Sequence, residues 1–302
     1  MLIKGADWFV DGAAGIAGRL GIPQLVIGLT IVAMGTSAPE AAVSISAAFK
    51  GSADITIGNI VGSNIINVLI ILGISSIITP LKVAKSTIRY EIPFMIVITL
   101  LLMLLGLSGS ITFVNGLILW GCFILYFVYL FMLTKKQPEQ PVESADLDSE
   151  DNYGHLSIPK ASMLIIIGLL LIIAGSNVAV EAASELARAF GLSERFIGLT
   201  IVALGTSLPE LVTSVLAARK GNADIAIGNI VGSNIFNILF VVGTSALIIP
   251  ITFAPAFITD FAVAAGAAIL LLVCCLKGRR LSRISGALML ALYAAYFALV
   301  LI

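Results

Sequence analysis

Ile27-Gly28-Leu29-Thr30-Ile31-Val32-Ala33-Met34-Gly35-Thr36-Ser37-Ala38-Pro39-Glu40 occurs a second time in the same chain. The second copy is Ile197-Gly198-Leu199-Thr200-Ile201-Val202-Ala203-Leu204-Gly205-Thr206-Ser207-Leu208-Pro209-Glu210, with only Met34/Leu204 and Ala38/Leu208 changed. Each copy starts as an apolar helix and then meets Gly, Thr, Ser, Pro and Glu. That order reads as a helix broken inside a membrane, with two hydroxyls and a carboxylate at the break. Gly35 and Gly205 permit unwinding. Pro39 and Pro209 lack an amide hydrogen and disrupt the bond to the residue four earlier. Carbonyls at or near Ala33 and Ala203 are then expected to be released.

The surrounding composition fits a membrane setting. Of 302 residues, 59% are hydrophobic and 11% charged, with a mean hydropathy of +1.11. A soluble domain cannot hide that much apolar surface. Long apolar runs without strict alternation favour helices over a barrel. The formal net charge is zero, and there is no basic patch with nucleic-acid character. Cys122, Cys274 and Cys275 lie in apolar runs without metal-ligand spacing, and the vicinal pair reads as two small core residues. Lys4, Asp7 and Asp11 interrupt the N-terminal segment, so no cleavable signal peptide is expected.

Apolar segments fall at about 1–20, 23–49, 54–78, 88–107 and 111–133, and again at 160–190, 192–218, from 224, 257–276 and 285–302. Both halves run in register at an offset of 170. At that offset Met1 pairs with Leu171, and the second copy has apolar residues in front that the first lacks. Since a crossing takes about 20 residues, the first helix is expected to lack its beginning; a short, tilted helix is the alternative. The fold expected is therefore all-α and polytopic, with about ten transmembrane helices in two five-helix repeats, 1–133 and 160–302. Between them, 134–159 carries Glu139, Glu143, Asp146, Asp148, Glu150, Asp151 and the sole histidine, His155, and reads as a solvent loop. Five crossings per repeat force the second to enter from the opposite side, giving inverted repeats.

Charge asymmetry supports that count. One side collects Arg19, Lys82, Lys85, Arg89, Lys135, Lys136, Lys160, Arg219, Lys220, Lys277, Arg279, Arg280 and Arg283; the other has Lys50, Arg188 and Arg195, with Lys4 at the N-terminal end. By the positive-inside rule the first set is cytoplasmic. The termini are then outside and the acidic loop inside, in a multi-pass protein of the plasma membrane.

Glu40 and Glu210 carry the chemistry. An ionised carboxylate in the membrane core costs several kcal/mol or more unless it is compensated. Two at equivalent positions point to a shared midplane site, and a hard cation such as Ca²⁺ or Na⁺ is the natural compensator. Thr36, Ser37, Thr206 and Ser207 add hydroxyl oxygens. A second duplicated motif, Gly58-Asn59-Ile60-Val61-Gly62-Ser63-Asn64-Ile65-Ile66-Asn67, returns as Gly228-Asn229-Ile230-Val231-Gly232-Ser233-Asn234-Ile235-Phe236-Asn237. Residues four apart share a helix face, so Ser63 with Asn67, and Ser233 with Asn237, can line one cavity. Asn59 and Asn229 lie one turn earlier. The Gly-x-x-x-Gly pairs read as close helix packing. Asp54 and Asp224 open their helices, where a carboxylate suits the dipole. Asp7, Asp11, Glu181 and Glu185 are read either as an outer cation vestibule or as solvated interfacial faces.

These paired motifs resemble the α-repeats of the calcium/cation antiporter superfamily, and most closely its prokaryotic sodium/calcium exchanger branch. The resemblance covers nearly the whole chain. It implies two slanted helices, segments one and six, sliding against an eight-helix core. It implies ion ligands at Thr36, Ser37, Glu40, Ser63, Asn67, Thr206, Ser207, Glu210, Ser233 and Asn237, joined by the carbonyls of Ala33 and Ala203. It implies Na⁺ entry driving Ca²⁺ exit by alternating access. Well-studied members often have Asp where this chain has Asn237, so the site here holds two carboxylates rather than three.

The expected function is thus a secondary antiporter exchanging Ca²⁺ for Na⁺. The nearest alternative exchanges H⁺ for Ca²⁺ or another divalent ion, and a cation channel stands further off. An intramembrane enzyme would need a nucleophile beside a base, and Ser37 or Ser207, near Glu, has no buried His or Lys partner. The partners expected are the transported ions and the bilayer, with no cofactor, no nucleic acid and a monomeric state.

Overall fold

The computed structural model describes residues 1–51, 54–135, 156–191 and 203–301. Most of the acidic stretch with His155, and the start of the second copy of the opening motif, lie outside the described residues. In chain order the first half comprises α1 (Leu2–Leu20), α2 (Gln24–Ile27), α3 (Ala33–Thr36), α4 (Ala38–Phe49), α5 (Asp54–Ile66), α6 (Leu72–Ile78), β1 (Leu81–Lys82), α7 (Ile92–Gly106), β2 (Ser110–Ile111) and α8 (Phe113–Lys135). The rest comprises α9 (Ile158–Ala189), α10 (Ala203–Thr206), α11 (Leu208–Arg219), α12 (Ala223–Phe236), α13 (Gly243–Ile248), β3 (Ile251–Thr252), α14 (Ala256–Leu276), β4 (Arg280–Leu281) and α15 (Arg283–Leu301).

Among the described residues six helices are long and apolar enough to cross a bilayer: Ile55–Ile78, Thr87–Gly106, Phe113–Lys135, Ile158–Ala189, Ala223–Ile248 and Ala256–Leu276. Two of them form the centre. In Ile55–Ile78 and Ala223–Ile248, 78% and 94% of the most apolar stretch is buried, against 22–33% in the other four. The two buried helices carry the second duplicated motif. The other four present apolar faces outward, as helices bathed in lipid do.

The chain bends where the sequence predicts a break. Gln24–Thr36 and Ala38–Phe49 meet at 51°. Ser37 is the joint, at φ −82° and ψ 7°, and Ser207 adopts nearly the same conformation at φ −91° and ψ 6°. Both prolines then sit in the first turn of the following helix, where the missing N–H breaks no helical bond. Wide π turns occur at Gly28–Val32, Asn67–Ile71, Thr87–Glu91 and Asn237–Val242. Asn67 and Asn237 each open one. Periodicity does not reveal such turns, which often mark functional positions.

Small residues set the helix crossings. A Cβ on Gly5 would lie 2.8 Å from the Gly168 carbonyl oxygen, and one on Gly168 would lie 2.7 Å from that of Gly5. Only hydrogen on both sides lets α1 and α9 run this close. Gly228 likewise abuts Gly28 and the Leu25 carbonyl, and Gly232 abuts Leu29 and Ala33. The reading of those two glycines as packing positions therefore holds. A Cβ on Gly58 would lie 3.6 Å from the Phe257 ring, an ordinary contact. Two short antiparallel ladders tie loops together: Leu81 pairs with Leu281 and Lys82 with Arg280, while Ser110 pairs with Thr252 and Ile111 with Ile251.

Candidate ion site

The two broken helices bring their carboxylates to the middle of the molecule. Glu40 and Glu210 are each 1% exposed. Each leans on the hydroxyl of the other motif: Ser37 Oγ donates to Glu210 Oε1 at 2.7 Å, and Ser207 Oγ donates to Glu40 Oε1 at 3.5 Å. The bend explains this crossing. Ser37 and Ser207 are the joints, so their side chains project at the point where each helix changes direction.

Asn59 and Asn229 hold the carboxylate-bearing helices from behind. Asn229 Nδ2 donates to Ser214 Oγ at 2.9 Å and to the Glu210 carbonyl at 3.5 Å. Asn59 Nδ2 repeats the arrangement with Ser44 Oγ at 3.0 Å and the Glu40 carbonyl at 3.4 Å. Thr36 Oγ1 lies 2.9 Å from Asn229 Oδ1 and also approaches the carbonyls of Val32 and Ala33. Ala33 O accepts the Ser37 amide at 3.0 Å. The break thus leaves this carbonyl in use, though a carbonyl oxygen keeps a second lone pair. The Ser233 hydroxyl approaches it at 3.4 Å. Ala203 opens α10, the counterpart of α3.

Ser63, Asn67, Ser233 and Asn237 are all buried beside these helices. Among the buried side-chain oxygens without a hydrogen-bond partner in the described residues are two repeat-related pairs of carboxylate and amide oxygens: Glu40 Oε2 with Glu210 Oε2, and Asn67 Oδ1 with Asn237 Oδ1. All four are acceptors. No ion pair reaches Glu40 or Glu210 among the described residues, nor does any cluster there hold three carboxylate, His or Cys side chains. The donor set is two carboxylates among neutral oxygens, which suits a hard cation rather than a soft one. Leaving two ionised carboxylates here without a cation costs several kcal/mol per charge.

A cavity of about 260 Å³ reaches this region. Pro39, Val43, Ser176, Asn177, Glu181, Thr206 and Pro209 line it. It places Glu181, which is exposed, beside both motif prolines. Asp7 and Asp11 behave differently. Lys220 Nζ lies 2.6 Å from Asp7 Oδ1 and 2.5 Å from Asp11 Oδ1, and Lys4 also pairs with Asp7. Burial opposes the Lys220 charge, yet the hydrogen bonds to Asp11 and Asp7 outweigh it and hold the ammonium above its ordinary range. Asp224 sits in the first turn of α12, as expected of a residue matched to the dipole, and Asn222 takes the cap position.

Sequence reasoning missed the Lys220 bridge and also Glu91. Glu91 is 1% exposed, accepts a hydrogen bond from the Tyr129 hydroxyl and lines a cavity with Arg89, Tyr90, Phe94 and Tyr126. A lone acid at the start of an apolar run carries no spacing signal. For Lys220 a signal existed, since it is the repeat counterpart of Lys50 just as Asp11 is of Glu181.

The chain is similar to known proteins over most of its length. The family described as sodium/calcium exchanger protein matches residues 1–134 and 160–302. CaxA of Alkalimonas amylolytica is 41% identical, over 98% of this chain and 94% of its own length. The sodium/calcium exchanger MaX1 of Methanosarcina acetivorans is 31% identical over the same shares. A solved structure of the sodium-calcium exchanger NCX_Mj, soaked with Na⁺ and Sr²⁺, superposes with a TM-score of 0.84 at 31% identity, covering 98% of this chain and 94% of that one. With matches over nearly its whole length, the chain belongs to the sodium/calcium exchanger protein family and is a multi-pass membrane protein of the cation antiporter class.

Proposed function

We propose that this protein exchanges Na⁺ for Ca²⁺ by alternating access at a single midplane site. The observation that carries the reading is that the two motifs leave repeat-related carboxylate and amide oxygens buried without a partner: Glu40 Oε2 with Glu210 Oε2, and Asn67 Oδ1 with Asn237 Oδ1. Thr36, Ser37, Ser63, Thr206, Ser207 and Ser233 complete the oxygen set, with the carbonyls of Ala33 and Ala203. Two carboxylates balance one Ca²⁺ or two Na⁺, so the ions compete for the same oxygens. An empty site carries two uncompensated charges and resists reorientation; a neutralised site permits it. Exchange follows, because neither ion can cross back unaccompanied.

The architecture belonging to this reading has ten spans in inverted five-helix repeats, 1–133 and 160–302. Its termini face outside, the 134–159 loop faces the cytoplasm, and the unit is a monomer. Support comes from the register of both motifs and from the basic residues of the β1–β4 ladder, which the β2–β3 ladder lacks. A second reading replaces Na⁺ with H⁺. It is favoured by the neutral Asn237, because two carboxylates can trade one Ca²⁺ for two protons.

⁴⁵Ca²⁺ uptake into Na⁺-loaded proteoliposomes, with the outward Na⁺ gradient present or absent at constant pH, separates them. Uptake that follows the Na⁺ gradient is the expected result. Uptake indifferent to Na⁺ but driven by an imposed pH gradient would establish proton coupling instead.

A further inference from the structure

Four buried asparagines bind the two halves together above the carboxylates. Asn64 Nδ2 donates to the backbone carbonyl of Asn234 at 3.3 Å, and Asn234 Nδ2 donates to that of Asn64 at 3.2 Å. Asn237 Nδ2 donates to Asn64 Oδ1 at 3.2 Å, and Asn67 Nδ2 donates to Asn234 Oδ1 at 2.9 Å. All four side chains are at most 5% exposed.

An amide offers donors at one end and an acceptor at the other, so its orientation decides what it presents to an ion. Here the orientation is forced. A backbone carbonyl can only accept, so Asn64 and Asn234 must turn their Nδ2 groups toward each other's carbonyl. Their Oδ1 atoms then face the remaining two amides, and an oxygen there demands a donor. Asn67 and Asn237 must answer with Nδ2. Their own Oδ1 atoms are thereby turned away, and these are the two partnerless amide oxygens.

We infer that Asn64 and Asn234 are positioning residues for cation binding: each orients, across the boundary between the halves, the amide oxygen of the other half's ligand residue. The inference rests on the proposed ion site. Were either ligand amide reversed, it would aim N–H groups at a cation.

The test is Ca²⁺ titration of the full-length purified protein, read as Ca²⁺-dependent thermal stabilisation, for Asn64→Ala, Asn237→Ala and the double variant. Second-sphere partners of metal ligands typically contribute tenfold or more, so Asn64→Ala should weaken Ca²⁺ about 10–100-fold. A residue that acts through Asn237 adds nothing once Asn237 is gone, so the double variant should match Asn237→Ala. Losses that multiply in the double variant, or unchanged binding in Asn64→Ala, would overturn the assignment. The cycle of Asn234→Ala with Asn67→Ala asks the same question from the other half and serves if Asn64→Ala does not fold. Glu210→Gln is run in parallel. If it binds Ca²⁺ like the parent, the site itself is wrong; if it loses Ca²⁺ while the asparagine losses multiply, only the positioning role fails.

Discussion

At the scale of single residues, the carboxylates set opposite demands on stability and on function. Glu40 and Glu210 are buried, each accepting a hydrogen bond from the serine of the other motif and each with one oxygen left over. Replacing Glu210 with Gln removes a buried charge that no cationic side chain among the described residues neutralises. Without Ca²⁺ the variant should therefore melt at the same temperature as the parent or higher, since relieving an uncompensated charge is neutral or stabilising. With Ca²⁺ the order should reverse. A ligand present at a hundred times its Kd stabilises by about 2.7 kcal/mol, and the variant should lose this shift together with about 100-fold or more of Ca²⁺ transport, because charge pairs at low dielectric are worth several kcal/mol. Melting curves with and without Ca²⁺, beside ⁴⁵Ca²⁺ flux, read both signs; parent-like flux in both Glu40→Gln and Glu210→Gln would remove these residues from the site. Such residues were legible in the sequence because duplication repeats them in register. Asn59 and Asn229 were legible as polar positions but not in role, since spacing on one helix says nothing about the Ser44 or Ser214 hydroxyl on the next.

At the scale of elements, close approach and one ion bridge hold α1 in place. α1 crosses α9 with backbone against backbone at Gly5 and Gly168. Gly168→Ala inserts a methyl 2.7 Å from the Gly5 carbonyl oxygen and the Phe9 amide nitrogen. Backbone cannot swing aside as a side chain can, so the helices must part, at a cost of about 1–3 kcal/mol. Gly18→Ala, where no atom comes within 4 Å of the added carbon, is the matched control and should leave the melting temperature unchanged. α1 is also bound by Lys220, which joins Asp7 and Asp11 to the turn after α11. Lys220→Met leaves two part-buried carboxylates without their shared cation, and loss of such a charged bond costs about 1–3 kcal/mol. Faster hydrogen exchange along α1, with α14 unaffected, is the expected signature; unchanged exchange in α1 would mean the bridge does not tether it. Most element boundaries were readable from apolar run length and from Gly and Pro. The π turns and the bridge were not, because the first alter no periodicity and the second joins positions 213 and 209 residues apart.

At the scale of the whole molecule, the question is which loops share a side. Ladder β1–β4 joins Lys82 to Arg280, and ladder β2–β3 joins Ser110 to Thr252. Thr87–Gly106 lies between β1 and β2, and Ala256–Leu276 between β3 and β4; they have 20 and 21 residues. At 1.5 Å per residue each is about 30 Å long, the thickness of the hydrocarbon core. Each helix therefore separates the two ladders by one membrane. The ladder at the basic end carries Lys82 and Arg280, beside Lys85 and Arg279, whereas Ser110, Ile111, Ile251 and Thr252 carry no charge. The positive-inside rule then predicts β1–β4 on the cytoplasmic side and β2–β3 on the outside. Single cysteines at Lys82 and Arg280 should react with a membrane-impermeant thiol reagent only after the cells are opened. Cysteines at Ser110 and Thr252 should react in intact cells. Cys122, Cys274 and Cys275 are replaced first; all three are half-buried or buried within apolar helices. Odd-numbered, inverted halves require this result, because β1 and β4 are not at repeat-related positions: Lys82 corresponds to Thr252, and Ser110 to Arg280. Each ladder thus pairs a loop of one half with a non-equivalent loop of the other, as happens when the second half is turned over. Labelling of Ser110→Cys and Arg280→Cys from the same side would mean that the halves run parallel, and alternating access between inverted repeats would have to be given up.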